Sequence, residues 1–326
     1  MTTGDSFTLL VLGGGGAIGS AIASEAVFAG HRVHATVRPG GSRSRQPALA
    51  GSTIHACDLA CSEDLESLVA RVEPDLLVMA ALPPGHPVSG DAPRATFLQH
   101  TLAMQFALFR ALERTGSRAR LVLIGSSTVY GAGMSRIPSA PMHPQNFRGV
   151  AKASERLLAE LLASELGRPL VELRVFCSYG RWMPRHRLLA RLLRAALDGG
   201  RVPIAEGPLL RDWIHHSDVA RAVLCSRELP QIVGPPTVIN ICTGELVDYR
   251  DVGGWLERIC GRPLLAKEPF PGGDRMGEVL PGIPPIGNQL PGWAPRIGLE
   301  SGLADMWKWA TTSEGRRYLL EESDGN

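Results

Sequence analysis

The residues best suited to chemistry stand near the start of the chain. Gly13, Gly16 and Gly19 read G-x-x-G-x-x-G, and Gly14, Gly16 and Gly19 read G-x-G-x-x-G equally well. They follow an apolar run, Thr8–Leu12, and precede Ala17–Ala29, where apolar residues recur at helical spacing. Glycines so placed let the backbone approach a diphosphate and aim a helix N-terminus, with its free N–H groups, at the anion. The arrangement predicts a dinucleotide site, with Gly13, Gly16, Ala17, Ile18 and Gly19 against the cofactor; a tight strand-to-helix turn is the structural alternative. A second strand, Arg32–Val37, ends where an NAD site offers a carboxylate to the adenosine ribose. No Asp or Glu lies between Glu25 and Asp58, and the interval carries Arg32, Arg38, Arg43 and Arg45 instead. A guanidinium suits a 2′-phosphate, which predicts NADP(H) over NAD(H) with Arg38 as the contact. A solvated basic loop is the alternative.

Other reactive side chains say less. Of the 34 basic residues only Lys152, Lys267 and Lys308 are lysine, so a Lys in this chain marks a place where a compact ammonium is wanted. The six cysteines form no C-x-x-C pair and resemble no zinc site. They read as reduced thiols of a cytoplasmic protein, Cys57 and Cys61 included. His215 and His216 lack carboxylates at useful spacing and read as packing or capping residues, not metal ligands. A formal charge of +2 leaves no electrostatic footprint for nucleic acid. No 18-residue apolar run suggests a membrane span, and the first residues lack the basic start of a signal peptide.

These residues need a frame. Apolar runs at Thr8–Leu12, Arg32–Val37, Ser52–Ala56, Asp75–Ala80, Leu121–Gly125, Val171–Phe176 and Thr237–Cys242 read as strands. Helical patterns lie between them: Ser62–Arg71 with Ser62 as N-cap, Ala95–Thr115, Gly149–Leu166, Arg185–Leu197 and Asp218–Ser226. The alternation predicts an α/β fold, a doubly wound parallel sheet covered on both faces. Residues 1–176 form the expected Rossmann domain, with strand 237–242 returning to it. Residues 177–326 form a smaller, mainly C-terminal substrate lobe. Proline and glycine dominate Pro263–Pro295, which reads as loop, either a cover for the site or an irregular lobe.

With these elements in order, the chain resembles the extended (atypical) short-chain dehydrogenase/reductases, a family of NAD(P)-dependent epimerases, dehydratases and ketoreductases. The motifs that carry the resemblance are GGGGAIG (13–19), Asp58-Leu59, PDLLVMAAL (74–82), IGSSTVYG (124–131), GVAK (149–152), LRVFCSYG (173–180), RDWIHHSDVA (211–220), INICTG (239–244) and GWAPRIGLESGL (292–303). The resemblance implies that Asp58 and Leu59 contact the adenine and that Ala80, Ala81 and Leu82 line the cofactor cleft. It places Val175 near the carboxamide and Lys152 on the nicotinamide ribose. It gives Ser126 the catalytic Ser/Thr position, Ser127 and Cys177 the substrate side, and Arg211 the diphosphate of a nucleotide sugar. The structural alternatives are a turn cap at Ser126-Ser127, a solvated helix face at Lys152 and an ion pair at Arg211-Asp212.

The sequence departs from the family at one chemical position. The tyrosine of Y-x-x-x-K is replaced by Arg148, four residues before Lys152. A guanidinium can polarise a carbonyl or hold an anion, but it does not pass a proton near neutral pH. Tyr130 and His143 are the nearest candidates in sequence for a proton donor, with Ser126 relaying through water. Cys177, where the family often has Asn, is a poor donor. The expected activity is NADP(H)-dependent reduction of a nucleotide-linked keto-sugar or similar small carbonyl substrate, with Ser126, Arg148, Lys152 and Tyr130 as catalytic candidates. A retained-cofactor epimerase, dehydratase or lyase is one alternative; an inactive NADP(H)-binding sensor or partner protein is another. The family also implies a homodimer through the helices at 95–115 and 149–166, where Leu102, Phe106, Phe109, Leu157 and Leu161 offer apolar faces; ordinary core packing is the alternative.

Overall fold

The computed structural model describes residues 5–41, 44–83, 91–268, 281–285 and 289–320. Strands β1 (Thr8–Leu12), β2 (Arg32–Val37), β3 (Thr53–Ala56), β4 (Leu76–Met79), β5 (Arg120–Ser126) and β6 (Leu170–Val175) alternate with helices. These are α1 (Ala17–Phe28), α2 (Ser62–Val72), α3 (Asp91–Thr115) and α4 (Phe147–Glu165). A short strand β7 (Cys177–Tyr179) leads to α5 (Leu188–Asp198), β8 (Leu210–His215), α6 (His216–Cys225), β9 (Thr237–Ile241) and β10 (Leu246–Asp248). Helices α7 (Tyr249–Cys260), α8 (Leu299–Ala310) and α9 (Ser313–Leu320) complete the described chain.

The main sheet is parallel throughout, in the order β3-β2-β1-β4-β5-β6-β9. Its strands are apolar on both sides because both faces are covered. Within β1, Leu9 and Val11 point into a core shared with α1 and α6, while Leu10 and Leu12 point into one shared with α2, α3 and α4. The doubly wound sheet read from the sequence is present, with the strand at 237–241 returned to its edge. Helix α6 and Trp293, from the second half of the sequence, pack onto the first of these cores.

A second sheet, β10-β8-β7, mixes antiparallel and parallel pairing. It rests on a third core of large side chains, including Tyr179, Trp182, Trp213, Leu256, Trp309 and Tyr318. Three details differ from expectation. Cys61, not Ser62, is the N-cap of α2, because Ser62 is already helical; Glu63 and Asp64 still fill the first turn. Helix α5 begins at Leu188, beyond Arg185, because Arg187 is extended (φ −67°, ψ 143°) and is the N-cap. The proline-rich stretch falls partly outside the described residues (269–280 and 286–288), but Leu290 and Trp293 within it are buried in the sheet's core. All six cysteines are free. Among the described residues no helix is long and apolar enough to cross a membrane.

Candidate active site

The strand order reverses between β1 and β4, and a crevice opens there at the carboxyl ends of the strands. Its floor is the turn from β1 to α1. Gly13 has φ of +93°, and a Cβ on it would lie 2.6 Å from Ala81 Cα. A Cβ on Gly19 would lie 2.2 Å from the Gly13 carbonyl oxygen, and one on Gly14 would lie 2.7 Å from Ala35 Cβ. Gly16 is the N-cap of α1, with no side chain bonded across the helix start. Helix, turn and strand therefore meet at backbone distance, and the first N–H groups of α1, with Ala17 and Ile18, face the crevice mouth. This cradle fits the diphosphate of a dinucleotide.

The residues expected around the rest of the cofactor lie along the same edge. Ala80 follows β4 and donates its N–H to Leu12 O at 2.9 Å; Ala81 is buried and Leu82 exposed. Past β3, exposed Asp58 turns the chain by accepting from Ala60 N at 3.0 Å, and Leu59 packs against the core beside α2. The arginines after β1 do not act together. Arg32 is at the far end of β2, where its Nε donates to Thr8 Oγ1. Arg45 turns away, donating from Nε to Trp182 O at 2.8 Å and from Nη2 to Tyr318 Oη at 2.6 Å. Arg43 lies outside the described residues. Arg38, exposed and directly past β2, remains at the adenosine end.

Across the crevice, β5 ends at Ser126, in register with Val175 of β6, whose other neighbour is Ile241 of β9. Ser126 Oγ lies 2.9 Å from Thr128 Oγ1 and accepts from Thr128 N. Ser127 opens the tight turn 127–129, and its carbonyl accepts from Tyr130 N. Helix α4 presses onto this turn. A Cβ on Gly149 would lie 2.3 Å from Thr128 O, and the Asn146 side chain caps the helix by accepting from Gly149 N.

One turn into α4, Lys152 is buried, not on a solvated face. Its Nζ donates to Ile124 O at 2.9 Å and to Glu155 Oε2 at 2.7 Å. Glu155 is fully buried and also accepts from Gln105 of α3. Burial pushes its carboxyl up, and the Lys152 ammonium opposes that rise. Two of the three Nζ donors are thereby used, leaving one for a bound ribose. Arg148 precedes Lys152 by one turn, and Glu155 neutralises one cation of the pair. Burial, and then the field of Arg187, pushes the Arg148 guanidinium down to about 10, so it stays charged at neutral pH.

Tyr130, one of the residues expected to supply a proton, is enclosed by its surroundings. Tyr130 is buried in a small core with Val129, Ala153, Phe176 and Cys242, and its hydroxyl donates to Asn240 Oδ1 at 2.8 Å. The Arg174 guanidinium lies 4.9 Å from its ring centre, and burial pushes the phenol up. This hydroxyl holds β5 to β9. His143 is exposed, its backbone N–H bonded to Val129 O beside the same turn.

On the lobe side, Cys177 Sγ lies 3.7 Å from Tyr249 Oη, and the Arg211 guanidinium stands 5.8 Å from the Tyr249 ring centre. The Arg211-Asp212 ion pair weighed from the sequence is not what Asp212 makes. Its Oδ1 accepts from Thr243 N and Oγ1, and its Oδ2 from Gly244 N and Gly282 N. It ties β8 to the β9–β10 connection and to residues 281–285. His215 caps α6, its Nδ1 accepting from Ser217 N, and His216 is buried, as their capping and packing reading requires. Among the described residues no group of three or more His, Cys, Asp or Glu side chains could hold a metal ion. Sequence reasoning did not single out Tyr249, Thr128 or Gln105, which contact Cys177, Ser126 and Glu155.

The chain is similar to proteins already known. The family model "NAD dependent epimerase/dehydratase family" matches residues 9–242. A UDP-glucose 4-epimerase of Cyamopsis tetragonoloba is 26% identical over 94% of this chain and 95% of its own length. A rice protein named "Probable GDP-L-fucose synthase 1" is 24% identical over 77% of this chain and 80% of its own. Among solved structures, MoeE5 in complex with UDP-glucose and NAD superposes with a TM-score of 0.77 at 28% identity, covering 94% of this chain and 98% of that one. The UDP-glucose 4-epimerase of Thermotoga maritima gives 0.79 at 23% identity, over 96% and 100%, a likeness of fold. Glycine cradle, Ser126 beside Val175 and buried Lys152 thus stand within a matched sequence, and the chain belongs to the NAD-dependent epimerase/dehydratase family.

Proposed function

We propose that the protein is an NADP(H)-dependent oxidoreductase that reduces a keto group on a nucleotide-linked sugar. The observation that carries this reading is the placement of Ser126, Val175 and Lys152 on adjoining elements at the sheet edge opposite the glycine cradle. The cofactor, when bound, supplies hydride from its nicotinamide. Ser126 donates a hydrogen bond to the sugar oxygen as charge develops, and Arg148, standing at the family's tyrosine position, stabilises the same charge without giving up its proton. Lys152, steadied by Ile124 O and Glu155, fixes the ribose. With Tyr130 committed to Asn240, His143 is the proton donor this reading assigns. Arg38 meets the 2′-phosphate, and Asp58, Leu59 and Ala80 to Leu82 border the adenine and the cleft. Arg211 takes the diphosphate, with Ser127 and Cys177 on the sugar side.

The relatives named as UDP-glucose 4-epimerases, matched along nearly their whole length, favour a second reading, sugar isomerisation with the cofactor retained. One assay separates the two. Purified protein is incubated with NADPH and nucleotide-linked keto-sugars, or with NAD⁺ or NADP⁺ and UDP-glucose. Stoichiometric loss of 340 nm absorbance supports reduction; interconversion without net NADPH loss supports isomerisation. Tight NADPH binding with neither overturns both in favour of a sensor. Arg38→Ala is expected to lower NADPH affinity about tenfold or more and leave NADH unchanged; equal binding of the two by the unaltered protein removes the NADP preference.

Phe106 of α3 and Leu157 and Leu161 of α4 are each more than half exposed, whereas Phe109 is buried in the core. The reading includes a homodimer through this face. Phe106→Glu with Leu161→Glu is expected to halve the mass measured by light scattering.

A further inference from the structure

Ser126 is 8% exposed, and among the described residues its hydroxyl bonds to one residue alone. Thr128 N donates to Ser126 Oγ at 3.2 Å, and Thr128 Oγ1 lies 2.9 Å from the same oxygen. Thr128 is itself pinned. It is the middle residue of the tight turn 127–129, which Ser126 caps from extended backbone (φ −148°, ψ 143°). The first turn of α4 presses on it: a Cβ on Gly149 would lie 2.3 Å from Thr128 O and 2.9 Å from Pro144 Cβ. Lys152 follows Gly149 on that helix, and its Nζ donates to Ile124 O, just ahead of Ser126 on β5. The helix therefore sets the ammonium directly and the serine through Thr128.

A hydroxyl has one proton and two lone pairs. The Thr128 N–H occupies one lone pair of Ser126. The 2.9 Å contact then has two arrangements. If Ser126 donates, its remaining lone pair faces the crevice. The Thr128 proton is then left over, because among the described residues Thr128 Oγ1 bonds to nothing else. If Thr128 donates, both lone pairs of Ser126 are filled, and its proton is the one part of the hydroxyl still unused. A carbonyl oxygen in the crevice offers lone pairs only, so it selects the second arrangement. The protons then run one way, from Thr128 Oγ1 to Ser126 Oγ to the carbonyl, and each hydrogen bond in such a chain strengthens the next. Tyr130 does not replace Ser126 in this, since its hydroxyl donates to Asn240 Oδ1.

We infer that Thr128 is a positioning residue of this site: by donating to Ser126 it fixes the serine as a hydrogen-bond donor to the substrate oxygen. Thr128 acts through Ser126 and does not touch the substrate. This rests on the carbonyl-reduction reading above and adds to it a residue and a direction. A developing alkoxide gains more from a donor aimed in advance than the ground-state carbonyl does, so the effect falls on turnover rather than on binding.

The test is a set of variants assayed for NADPH oxidation with UDP-linked and GDP-linked keto-deoxyhexoses. Thr128→Val keeps the branched shape and the backbone donor and removes the hydroxyl. It is expected to lower kcat about tenfold and to leave KM within about twofold. Thr128→Ser returns the hydroxyl and is expected to recover most of the loss. Ser126→Ala is expected to cost about a hundredfold in kcat. Ser126→Ala combined with Thr128→Val should cost no more, because the two residues act as one unit. Full kcat in Thr128→Val overturns the inference. So does a Thr128→Ser variant as slow as Thr128→Val, which would make the side chain's shape the cause. A double variant slower than Ser126→Ala alone also overturns it, by putting Thr128 on the substrate. In each of those cases reduction by the unaltered protein still stands. If the unaltered protein reduces neither probe, the carbonyl-reduction reading fails and takes this inference with it. If Thr128→Val does not fold, Thr128→Ala set against Thr128→Ser makes the same comparison.

Discussion

Around Gly13–Gly19, chain approaches chain because side chains are missing; around Cys177–Tyr249, the surface is set by long, charged side chains on separate elements. In the first region the tolerances at Gly13, Gly14 and Gly19 are those of close contact, with would-be Cβ positions at 2.2 to 2.7 Å from their neighbours. In the second, distances are looser: Cys177 Sγ lies 3.7 Å from Tyr249 Oη, and the Arg211 guanidinium stands 5.8 Å from the Tyr249 ring centre. A shape-built region fails when a methyl group is added. A charge-built one keeps its shape when altered and fails in what it binds.

The largest effect should come from adding bulk to the first region. Gly13→Val places a β-branched side chain at φ +93° against Ala81 and should abolish measurable NADPH binding by fluorescence titration. Gly15→Ala meets nothing nearer than 3.5 Å and should bind within twofold of the unaltered protein; equal damage from both would break the distinction. Next is Asp212→Ala, which strips a buried acceptor from Thr243, Gly244 and Gly282. A stability loss of about 3–5 kcal/mol in urea unfolding is expected, and a loss below 1 kcal/mol would show that the lobe does not depend on that knot. Lys152→Met leaves Glu155 buried without its cation and should cost about 3 kcal/mol. Adding Glu155→Gln should return part of that stability without restoring turnover, which separates the ammonium's support from its function.

The last effect is a slope. Burial pushes His216 down to about 3, far below the usual histidine value near 6.5. Between those values the unfolded chain binds a proton that the folded one refuses, so stability falls as pH drops through 6.5, by ~1.4 kcal/mol per pH unit from this group. His216→Gln should flatten the stability–pH curve between pH 6.5 and 4 by that amount. An unchanged curve would place the acid sensitivity elsewhere.

The two regions were also unequally legible in the sequence. The sheet and its glycine turn could be read because β1, β4 and β5 are continuous apolar runs and the glycines follow one of them directly. Ser126 and Lys152 could be placed from the motifs around them. The lobe could not be read so well. Strands β7 and β10 are three residues each, too short for an alternation to register. Helix α7 carries Gly253 and Gly254, which read as breakers, yet Gly253 is where Leu265 packs against the helix, 2.8 Å from a would-be Cβ. Tyr130 stands four residues after Ser126 in sequence, and only tertiary structure shows its hydroxyl donating to Asn240 Oδ1.

Arg45, in the connection after β2, is held by the backbone of Trp182 and by the hydroxyl of Tyr318, 273 residues further along the chain. On the ribosome the glycine cradle and its neighbouring strands emerge long before Tyr318 does. The connection beside the adenosine end therefore stays unfastened until α9 has been synthesised and has docked, with Tyr318 also bonded to Trp182 and Met183. A nascent chain stalled short of residue 318 has every glycine of the cradle and lacks the clasp beside it.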